Sequence, residues 1–386
     1  MTGMTLPLPI ISSCTRSPWF KATRELTTAY GDHEGRLTPV TFERSITDEY
    51  RVLRTKAGIF DVPEKPLEIR GPDAARFLDY MFTRPVSTMP VNRGRYGLLC
   101  HHGGGLACDG VVFRLAEDWF WYVHADRDVF TWMQALSMDY DVKILDPQAW
   151  AIQIQGPTAL DILRDCVDID CPDWSLEGFK YYHAAQVTMG GQPVLISRTG
   201  WTAELGFEVY NMAPDVDGMA LWAHLMAAGE PHDMEVLSTY ALNPRRIEAG
   251  ILNYGTDMGW DTTPFDLGLG MFVDFEHEFV GREALQQADQ RPRVSGFTTS
   301  AHDVKWHSLV LQNGHPVGQV KAFEHSPTLK TGVGYVLFDT PESMSGGNYS
   351  VCDRAGNEHE LSLHALPFFD AGKRIPRGLE SMEFEG

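Results

Sequence analysis

Two stretches of the sequence share one pattern and decide the fold class: residues 67–81 read LEIRGPDAARFLDYM, and residues 152–166 read IQIQGPTALDILRDC. In each, an alternating strand meets a Gly-Pro turn, and apolar residues at helical spacing follow. Proline suits the first turn of a helix, where its missing N–H would have no partner anyway. The copies are farther apart than the roughly 20–50 residues of a solenoid repeat, which favours a duplicated half-domain. A chance recurrence of Gly-Pro turns is the alternative.

Strands and helices continue on both sides of these copies. Residues 105–124 predict a hairpin that turns at 116–118, and residues 126–138 predict an amphipathic helix. The second copy is followed by predicted strands near 185–189 and 193–197 and a predicted helix near 216–228. From about Arg291, short runs such as WHSLVLQ and VGYVLF are separated by Gly, Pro, Asn and Asp. The mixture of strands and helices predicts an α+β core, and the short apolar runs after it predict a separate all-β domain.

The composition limits the function. The chain has 386 residues, enough for two or three domains, and a formal net charge of -20. That charge argues against nucleic acid and anionic membranes as partners. No run approaches the roughly 18–20 apolar residues of a membrane span, and residues 1–20 do not resemble a secretory signal. The six scattered cysteines favour reduced thiols over disulfides or a zinc site, and we therefore expect a cytoplasmic protein.

Residues 96–112, YGLLCHHGGGLACDGVV, concentrate unusual chemistry between two apolar runs. The His-Gly-Gly-Gly at 102–105 is typical of an esterase oxyanion loop, but the sequence has no G-x-S-x-G nucleophile elbow. His101 and His102 are adjacent and would point to opposite faces of a strand, so no metal site is predicted. The glycine run would let a flat ligand approach the main chain. Asp109 lies inside an apolar strand, where structural hydrogen bonding and a functional role are equally good interpretations.

Two further clusters contain candidate ligand-binding residues. In residues 198–210, RTGWTAELGFEVY, Gly200 and Gly206 bracket Trp201 and Glu204, which could clamp a ring and bond its edge. A core Trp beside a surface Glu is the alternative. In residues 242–258, LNPRRIEAGILNYGTDM, a helix would place Arg246 and Gly250 on one face, directing the arginine at a specific partner. The alternative is a solvated helix on which Arg246 makes an ordinary surface ion pair.

Taken in order, these clusters resemble the folate-binding aminomethyltransferase superfamily. It includes the glycine-cleavage T-protein, the dimethylsulfoniopropionate demethylases and the tetrahydrofolate-dependent aryl-ether O-demethylases. The T-protein patterns Y-T-x-x-x-N-x-x-G-G-I-x-D-D, R-T-G-Y-T-G-E-x-G-F-E and L-R-L-E-A-G-x-x-x-Y-G resemble residues 96–109, 198–208 and 245–255. Residues 268–285, GLGMFVDFEHEFVGREAL, and 325–336, HSPTLKTGVGYV, resemble two later segments of the family.

The resemblance implies an α+β cloverleaf of three domains around a central folate, with a ferredoxin-like unit and a C-terminal β-barrel. Residues 1–60 and 150–285 would form a split folate-binding unit, with 61–149 inserted into it. Residues 286–386 would form the barrel domain. The implied cofactor is tetrahydrofolate, which accepts a one-carbon unit at N5.

The resemblance also implies roles for individual residues. Asp109 would face the reactive nitrogens of the folate and act in catalysis, and Glu204 would bond the pterin edge. Arg246 would hold a more distal polar part of the cofactor, and Tyr96 would line the same cavity. The reaction depends on positioning, since donor, carbon and N5 must lie nearly in line. A carboxylate near N5 can accept the proton that N5 releases.

Departures from the T-protein pattern bear on the substrate. His101 replaces its Asn and Cys108 replaces the first Asp of its pair, which weakens that assignment. Trp201 with Tyr210 resembles the sulfonium demethylases more, because an aromatic pair can hold an onium donor by cation–π attraction. Trp174 is a weaker candidate for the same aromatic contact with the donor.

The leaving group distinguishes the possible donors. A sulfonium departs as a neutral thioether, whereas an aryl ether leaves as a phenolate that a nearby acid would stabilise. His101 or His102 could be that catalytic acid, although a strand-end histidine often only makes structural hydrogen bonds. We therefore expect a tetrahydrofolate-dependent demethylase that forms 5-methyltetrahydrofolate, preferably from a methoxybenzoate.

Three alternatives to that donor remain open from the sequence. They are a dimethylsulfoniopropionate demethylase, a glycine-cleavage aminomethyltransferase and a folate-binding protein without catalysis. The expected partner is a small-molecule methyl donor, with no protein partner, nucleic acid or membrane.

Overall fold

The computed structural model of the protein describes residues 14–124, 127–168, 174–381 and 384. Cys171 and most of the N-terminal stretch considered for a secretory signal lie outside these residues. Each of the five cysteines within them is a thiol rather than part of a disulfide. Within the same residues, every helix is too short or too polar to cross a bilayer.

Eight α-helices occur in the described part of the chain. They are α1 (Phe20–Thr23), α2 (Ile46–Thr55), α3 (Ala74–Met81), α4 (Val129–Leu136), α5 (Ala159–Cys166), α6 (Gly218–Gly229), α7 (Leu242–Glu248) and α8 (Arg282–Gln287). The strands that precede α6 are β1 (Thr15–Arg16), β2 (Thr27–His33), β3 (Arg36–Phe42), β4 (Gly58–Val62), β5 (Lys65–Arg70), β6 (Arg93–Cys100), β7 (Leu106–Ala116), β8 (Trp119–His124), β9 (Lys143–Leu145), β10 (Ala151–Gln155), β11 (Ala184–Met189), β12 (Gln192–Ser197) and β13 (Gly206–Asn211). The later strands are β14 (Glu235–Val236), β15 (Val294–Thr299), β16 (Leu309–Gln312), β17 (His315–Ser326), β18 (Thr331–Phe338), β19 (Tyr349–Cys352) and β20 (Glu358–His364).

The strands form four sheets, and their order shows how the chain is divided. A six-stranded sheet has the order β11-β12-β13-β10-β4-β14, so β4 and β10 are neighbours although a long segment separates them in sequence. That segment builds its own five-stranded sheet, β6-β7-β8-β5-β9. The N-terminal strands form a small sheet, β1-β3-β2, and the C-terminal strands close a barrel, β15-β18-β17-β16-β19-β20. The predicted α+β class with a C-terminal β-barrel is confirmed.

The two similar stretches adopt the same local structure. β5 is followed by α3, and β10 is followed by α5. Gly71 and Gly156 at the two turns have φ values of 134° and 136°, and a Cβ there would lie 2.4 Å and 2.3 Å from a backbone carbonyl oxygen. Glycine is therefore required at both turns. The prolines lie in the turns themselves, not in the first helical turn, because the helices begin two residues later.

Most of the other local predictions agree with the structure, and two need correction. β7 and β8 form the predicted hairpin, and β11, β12 and α6 lie where strands and a helix were expected. The helix predicted at 126–138 is shorter, because Asp128 caps its start by accepting a hydrogen bond from the Thr131 N–H at 3.1 Å. The prediction that Gly250 shares a helix face with Arg246 is wrong. α7 ends at Glu248, and Gly250 follows in a left-handed conformation with a φ of 67°.

Candidate functional site

A cavity of about 1540 Å³ lies where the two α+β sheets meet the barrel and the C-terminal segment. Residues from β4, β7, β13, α7 and β17 all contribute to its lining. Its volume exceeds the roughly 300–1,000 Å³ of an ordinary small-molecule site, so it can hold two ligands side by side. Five of the nine site residues predicted from the sequence line it: Tyr96, Asp109, Trp201, Tyr210 and Arg246.

Asp109 and Tyr96 lie on the paired strands β7 and β6. Asp109 stands opposite Leu98, and Tyr96 stands opposite Val111, so both side chains project from the same face of the sheet. The Tyr96 hydroxyl donates a hydrogen bond to Oδ2 of Asp109 at 2.8 Å. Burial, together with the Asp109 carboxylate, raises the pKa of Tyr96 well above its usual value. The phenol therefore stays protonated and orients the carboxylate.

Glu208 is the carboxylate of the second cluster, residues 198–210, that reaches the cavity, and it is not among the residues predicted from the sequence. Its side chain lies on the same face of β13 as Tyr210, whose hydroxyl donates to Oε2 of Glu208 at 2.8 Å. Gln153 donates to Oε1 at 2.7 Å, Ser197 donates to Oε2 at 3.2 Å, and Thr199 also donates to Oε2. Burial raises the pKa of Glu208, although these donors oppose the shift.

The loop that carries Trp201 is held by Gln155 of β10. The Gln155 amide donates to the carbonyl of Thr199 at 3.0 Å and accepts from the Thr202 hydroxyl at 2.8 Å. A Cβ at Gly200 or Gly206 would lie 2.1 Å or 2.6 Å from the Gln155 side chain. Any side chain at these two positions would clash with Gln155, so both glycines are needed for the glutamine to hold the loop.

Arg246 occupies the last turn of α7 and faces the same loop. Its guanidinium carbon lies 5.4 Å from the centroid of the Trp201 ring. Its Nε donates to Oδ1 of Asn243 at 2.8 Å, and Nη1 pairs with the buried carboxylate of Asp257. Asn243 and Asp257 therefore fix the orientation of the Arg246 side chain, which lines the cavity.

The structure corrects the role predicted for Glu204. Its carboxylate does not line the cavity but is buried between two arginines. Oε1 of Glu204 accepts from Nε of Arg245 at 2.6 Å and also from Arg54. Each of the three side chains is at most 2% exposed. Glu204 therefore braces the loop, and Glu208 takes the position in the cavity.

The predicted histidine acids also lie away from the cavity lining. The backbone N–H of Gly103 donates to Nδ1 of His101 at 2.9 Å, so Nε2 carries the proton and donates to the carbonyl of Trp260 at 2.9 Å. His101 also stacks on the Trp260 ring at 4.2 Å, and His102 is exposed. A Cβ at Gly105 would lie 2.1 Å from that same carbonyl oxygen. The glycine run thus closes a tight turn and does not admit a ligand.

Trp174 is the fourth predicted residue outside the cavity. It packs against the core of the six-stranded sheet, where aromatic and aliphatic side chains surround it. Its place in the cavity lining is taken by Tyr181 and Tyr182, whose rings contact edge to face at 4.7 Å. Tyr182 has a φ of 62°, a conformation that is uncommon for a bulky residue and is often found at functional sites. Burial raises the pKa of Tyr181 to about 12.

Charge is unevenly distributed over the cavity lining. Among the described residues, the acidic side chains that line it all come from the two α+β sheets and their connections: Glu64, Asp109 and Glu208. The basic ones all come from α7, the barrel and the C-terminal segment: Arg246, Lys321, Arg354, Lys373 and Arg377. One side of the cavity therefore favours cations or hydrogen-bond donors, and the other favours anions.

Two family models match the chain along most of its length. The GCVT N-terminal domain matches residues 19–277, and the glycine cleavage T-protein C-terminal barrel domain matches residues 293–370. The chain belongs to the glycine-cleavage T-protein (GCVT) family. It is therefore a folate-dependent transferase of that family, in which tetrahydrofolate accepts the one-carbon unit.

Curated relatives and a solved structure agree with this GCVT assignment. The chain is 32% identical to an aminomethyltransferase of Clostridium botulinum (strain Okra / Type B1) over 334 residues, which cover 83% of this chain and 88% of the relative. It is 33% identical to an aminomethyltransferase of Streptomyces avermitilis over 337 residues, 83% of this chain and 89% of the relative. The crystal structure of the glycine cleavage system aminomethyltransferase T from Bartonella henselae superposes with a TM-score of 0.81 at 23% identity, covering 92% of this chain and 98% of that chain. The last comparison establishes the fold alone.

Proposed function

We propose that this GCVT-family protein is a tetrahydrofolate-dependent demethylase that moves a methyl group from a small onium donor to N5, giving 5-methyltetrahydrofolate. The observation that supports this best is the uneven charge of the cavity. The pterin has N–H donors and the glutamate tail of the folate is anionic. Carboxylates on one side and lysines and arginines on the other suit those two ends.

The acidic side of the cavity also bears on the donor. A methoxybenzoate, the donor favoured by the sequence, carries a negative charge with no positive group to offset it, whereas an onium donor carries a positive charge that suits the side of the cavity lined by Asp109 and Glu208. The acid that the sequence predicts for an ether donor is His101 or His102, and neither lines the cavity. An onium donor needs no acid, because its leaving group is neutral. It would also be attracted by the Trp201 and tyrosine rings that line this side of the cavity.

Asp109 is placed to serve the transfer in two ways. Its orientation is fixed by the 2.8 Å hydrogen bond from Tyr96, so it can hold the pterin without rearrangement. It can also accept the proton that N5 loses as its new bond to carbon forms. N5 of bound tetrahydrofolate supplies the nucleophile. The sulfur or nitrogen of the donor keeps the electron pair of the broken bond to the methyl group.

The relatives named aminomethyltransferases make glycine-cleavage chemistry the second candidate. Cys108 stands where the T-protein pattern has its first Asp, and it is only 1% exposed. It lines the cavity beside Asp109, but a thiol is only a weak hydrogen-bond donor and acceptor, so it is a poor substitute for a carboxylate contact to an aminomethyl group. This difference favours methyl transfer over aminomethyl transfer.

A donor panel tests the proposal. The protein is incubated with tetrahydrofolate and, in separate reactions, dimethylsulfoniopropionate, trimethylglycine, several methoxybenzoates and an aminomethylated lipoyl carrier, and folate products are measured by mass spectrometry. We expect 5-methyltetrahydrofolate from at least one onium donor. Turnover of methoxybenzoates alone would refute the onium class, and methylenetetrahydrofolate from the lipoyl carrier alone would indicate an aminomethyltransferase. Folate binding without any product would indicate a non-catalytic folate protein.

Paired variants identify the responsible carboxylate. Asp109→Asn should abolish most of the turnover with every donor. Asp161→Asn, a change at a half-exposed side chain on α5, should leave turnover unchanged. Equal activity of the two variants would contradict the role given to Asp109.

A further inference from the structure

The part of the cavity beneath the β2–β3 hairpin lies outside the sequence patterns shared with the family. It is lined by His33, Thr38 and Val40 from the hairpin and by Pro63 and Glu64 from the link between β4 and β5. Asp109 and Glu208 line the same cavity, so this pocket opens towards the carboxylates assigned to the pterin. Its walls are continuous with Val111 and Val123 on β7 and β8.

Gln153 fixes the distance between Glu64 and Glu208. It is fully buried on β10, between β4 and β13. Its Nε2 donates to Oε1 of Glu64 at 2.9 Å and to Oε1 of Glu208 at 2.7 Å. Two carboxylates therefore face one amide nitrogen, and the donors described for Glu208 are neutral hydroxyls and an amide. Arg36 lies close to Glu64 and donates from Nη1 to its backbone carbonyl at 2.8 Å, but it does not line the cavity. Asp109 is a third carboxylate of the same lining, so the charge that faces the cavity here is negative and attracts a cation.

A second observation indicates that the pocket takes a ligand. The imidazole of His124 lines it, is only 4% exposed, and has no hydrogen-bond partner for either ring nitrogen among the described residues. Buried polar groups normally have partners, so this one can receive a bond from a bound molecule. The rest of the wall is apolar or aromatic, with Val40, Val62 and Tyr210 among its members.

We propose that this pocket binds the onium group of the methyl donor and that Glu64 selects donors by their positive charge. Methyl groups suit the valine and proline walls, and the charge suits the Glu64–Gln153–Glu208 bridge. This inference rests on the proposed demethylase function, since it places the donor beside the pterin. It adds a specificity-determining residue that lies outside the shared patterns.

Equilibrium binding with two isosteric probes tests the pocket without requiring turnover. Choline carries a trimethylammonium group, and 3,3-dimethylbutan-1-ol carries a neutral tert-butyl group of the same shape. Binding of each is measured by NMR to the full-length wild type, Glu64→Gln and the control Glu25→Gln, whose side chain is 77% exposed. Glutamine keeps an oxygen that can accept from Gln153, so the fold should be preserved.

Wild type and Glu25→Gln should prefer choline to the alcohol, and Glu64→Gln should bind choline roughly tenfold more weakly. Affinity for the alcohol and for tetrahydrofolate should change by less than about twofold. Equal choline affinity in wild type and Glu64→Gln, or no preference for choline in wild type, would overturn the inference. Charge-selective binding without methyl transfer from any donor would refute only the proposed function. Onium turnover with a donor KM unaffected by Glu64→Gln would refute only this pocket.

Discussion

Replacing Glu204 by Gln tests the corrected role of this residue. Glu204 lies between Arg54 and Arg245, with all three side chains at most 2% exposed. Glu248 is the nearby second carboxylate, 3.7 Å from Arg245, and it also accepts hydrogen bonds from Ser326 at 2.5 Å and Tyr50 at 2.7 Å. The wild-type cluster therefore balances two positive charges with two negative ones. Glu204→Gln leaves one charge uncompensated in the interior.

Removing one partner of a buried ion pair costs about 3–5 kcal/mol. Glutamine can still accept one hydrogen bond, so we expect a loss near the lower end, about 3 kcal/mol in the free energy of unfolding. Urea denaturation followed by fluorescence measures it, with Glu25→Gln as an exposed control. A loss below about 1 kcal/mol would contradict a buried, charge-balanced cluster.

Folate binding separates the structural role from the cofactor-binding role first predicted. Measured where the variant is folded, tetrahydrofolate affinity should fall less in Glu204→Gln than in Glu208→Gln. If Glu204→Gln lowered affinity more than Glu208→Gln while stability stayed unchanged, Glu204 would bond the pterin and our assignment would be reversed.

Three other measurements follow from the structure. Tyr96→Phe removes the donor to Asp109, so kcat for methyl transfer should fall roughly tenfold with little change in tetrahydrofolate affinity; a loss of affinity alone would contradict an orienting role. Burial raises the pKa of Asp61 to about 7, so between about pH 4 and 7 the folded state keeps a proton that the unfolded state has lost. The free energy of unfolding of the wild type should therefore fall by up to about 1.4 kcal/mol for each unit of rising pH in this range, and Asp61→Asn should abolish this slope. Burial lowers the pKa of His124 to about 3, so between about pH 3 and 6.5 the unfolded state binds a proton that the folded state does not. The free energy of unfolding should therefore rise with pH in this range, and His124→Phe should abolish that rise. Urea denaturation from pH 4 to 7.5 should show slope changes of opposite sign for these two variants, and slopes equal to wild type would contradict both environments.

Local pattern was sufficient to predict the fold class but insufficient to choose between Glu204 and Glu208. Strand alternation contained the missing signal: Glu208 and Tyr210 are two residues apart on β13, so they share the cavity face. Glu204 precedes β13, so strand alternation cannot predict which way its side chain points. Its partners Arg54 and Arg245 come from α2 and α7, and no short stretch of sequence shows that they meet.

The histidines illustrate a second limit. The sequence predicts His101 at a strand end beside the cavity, but its ring is held by Gly103 and by Trp260, which is more than 150 residues away in sequence. His33 and Glu64 line the cavity because a hairpin and a strand connection converge there. Such contacts depend on how separate sheets pack, so composition and motif spacing could not have predicted them.

Transfer of an isotopically labelled methyl group tests the central claim most directly. An onium donor carrying ¹³C in its methyl group is mixed with tetrahydrofolate and stoichiometric protein, and the label is followed by NMR. The account predicts that the label moves to N5 of tetrahydrofolate as the donor signal disappears, and that Asp109→Asn slows this step at least about a hundredfold. Loss of the donor methyl without labelled 5-methyltetrahydrofolate, or transfer at an equal rate in Asp109→Asn, would contradict it.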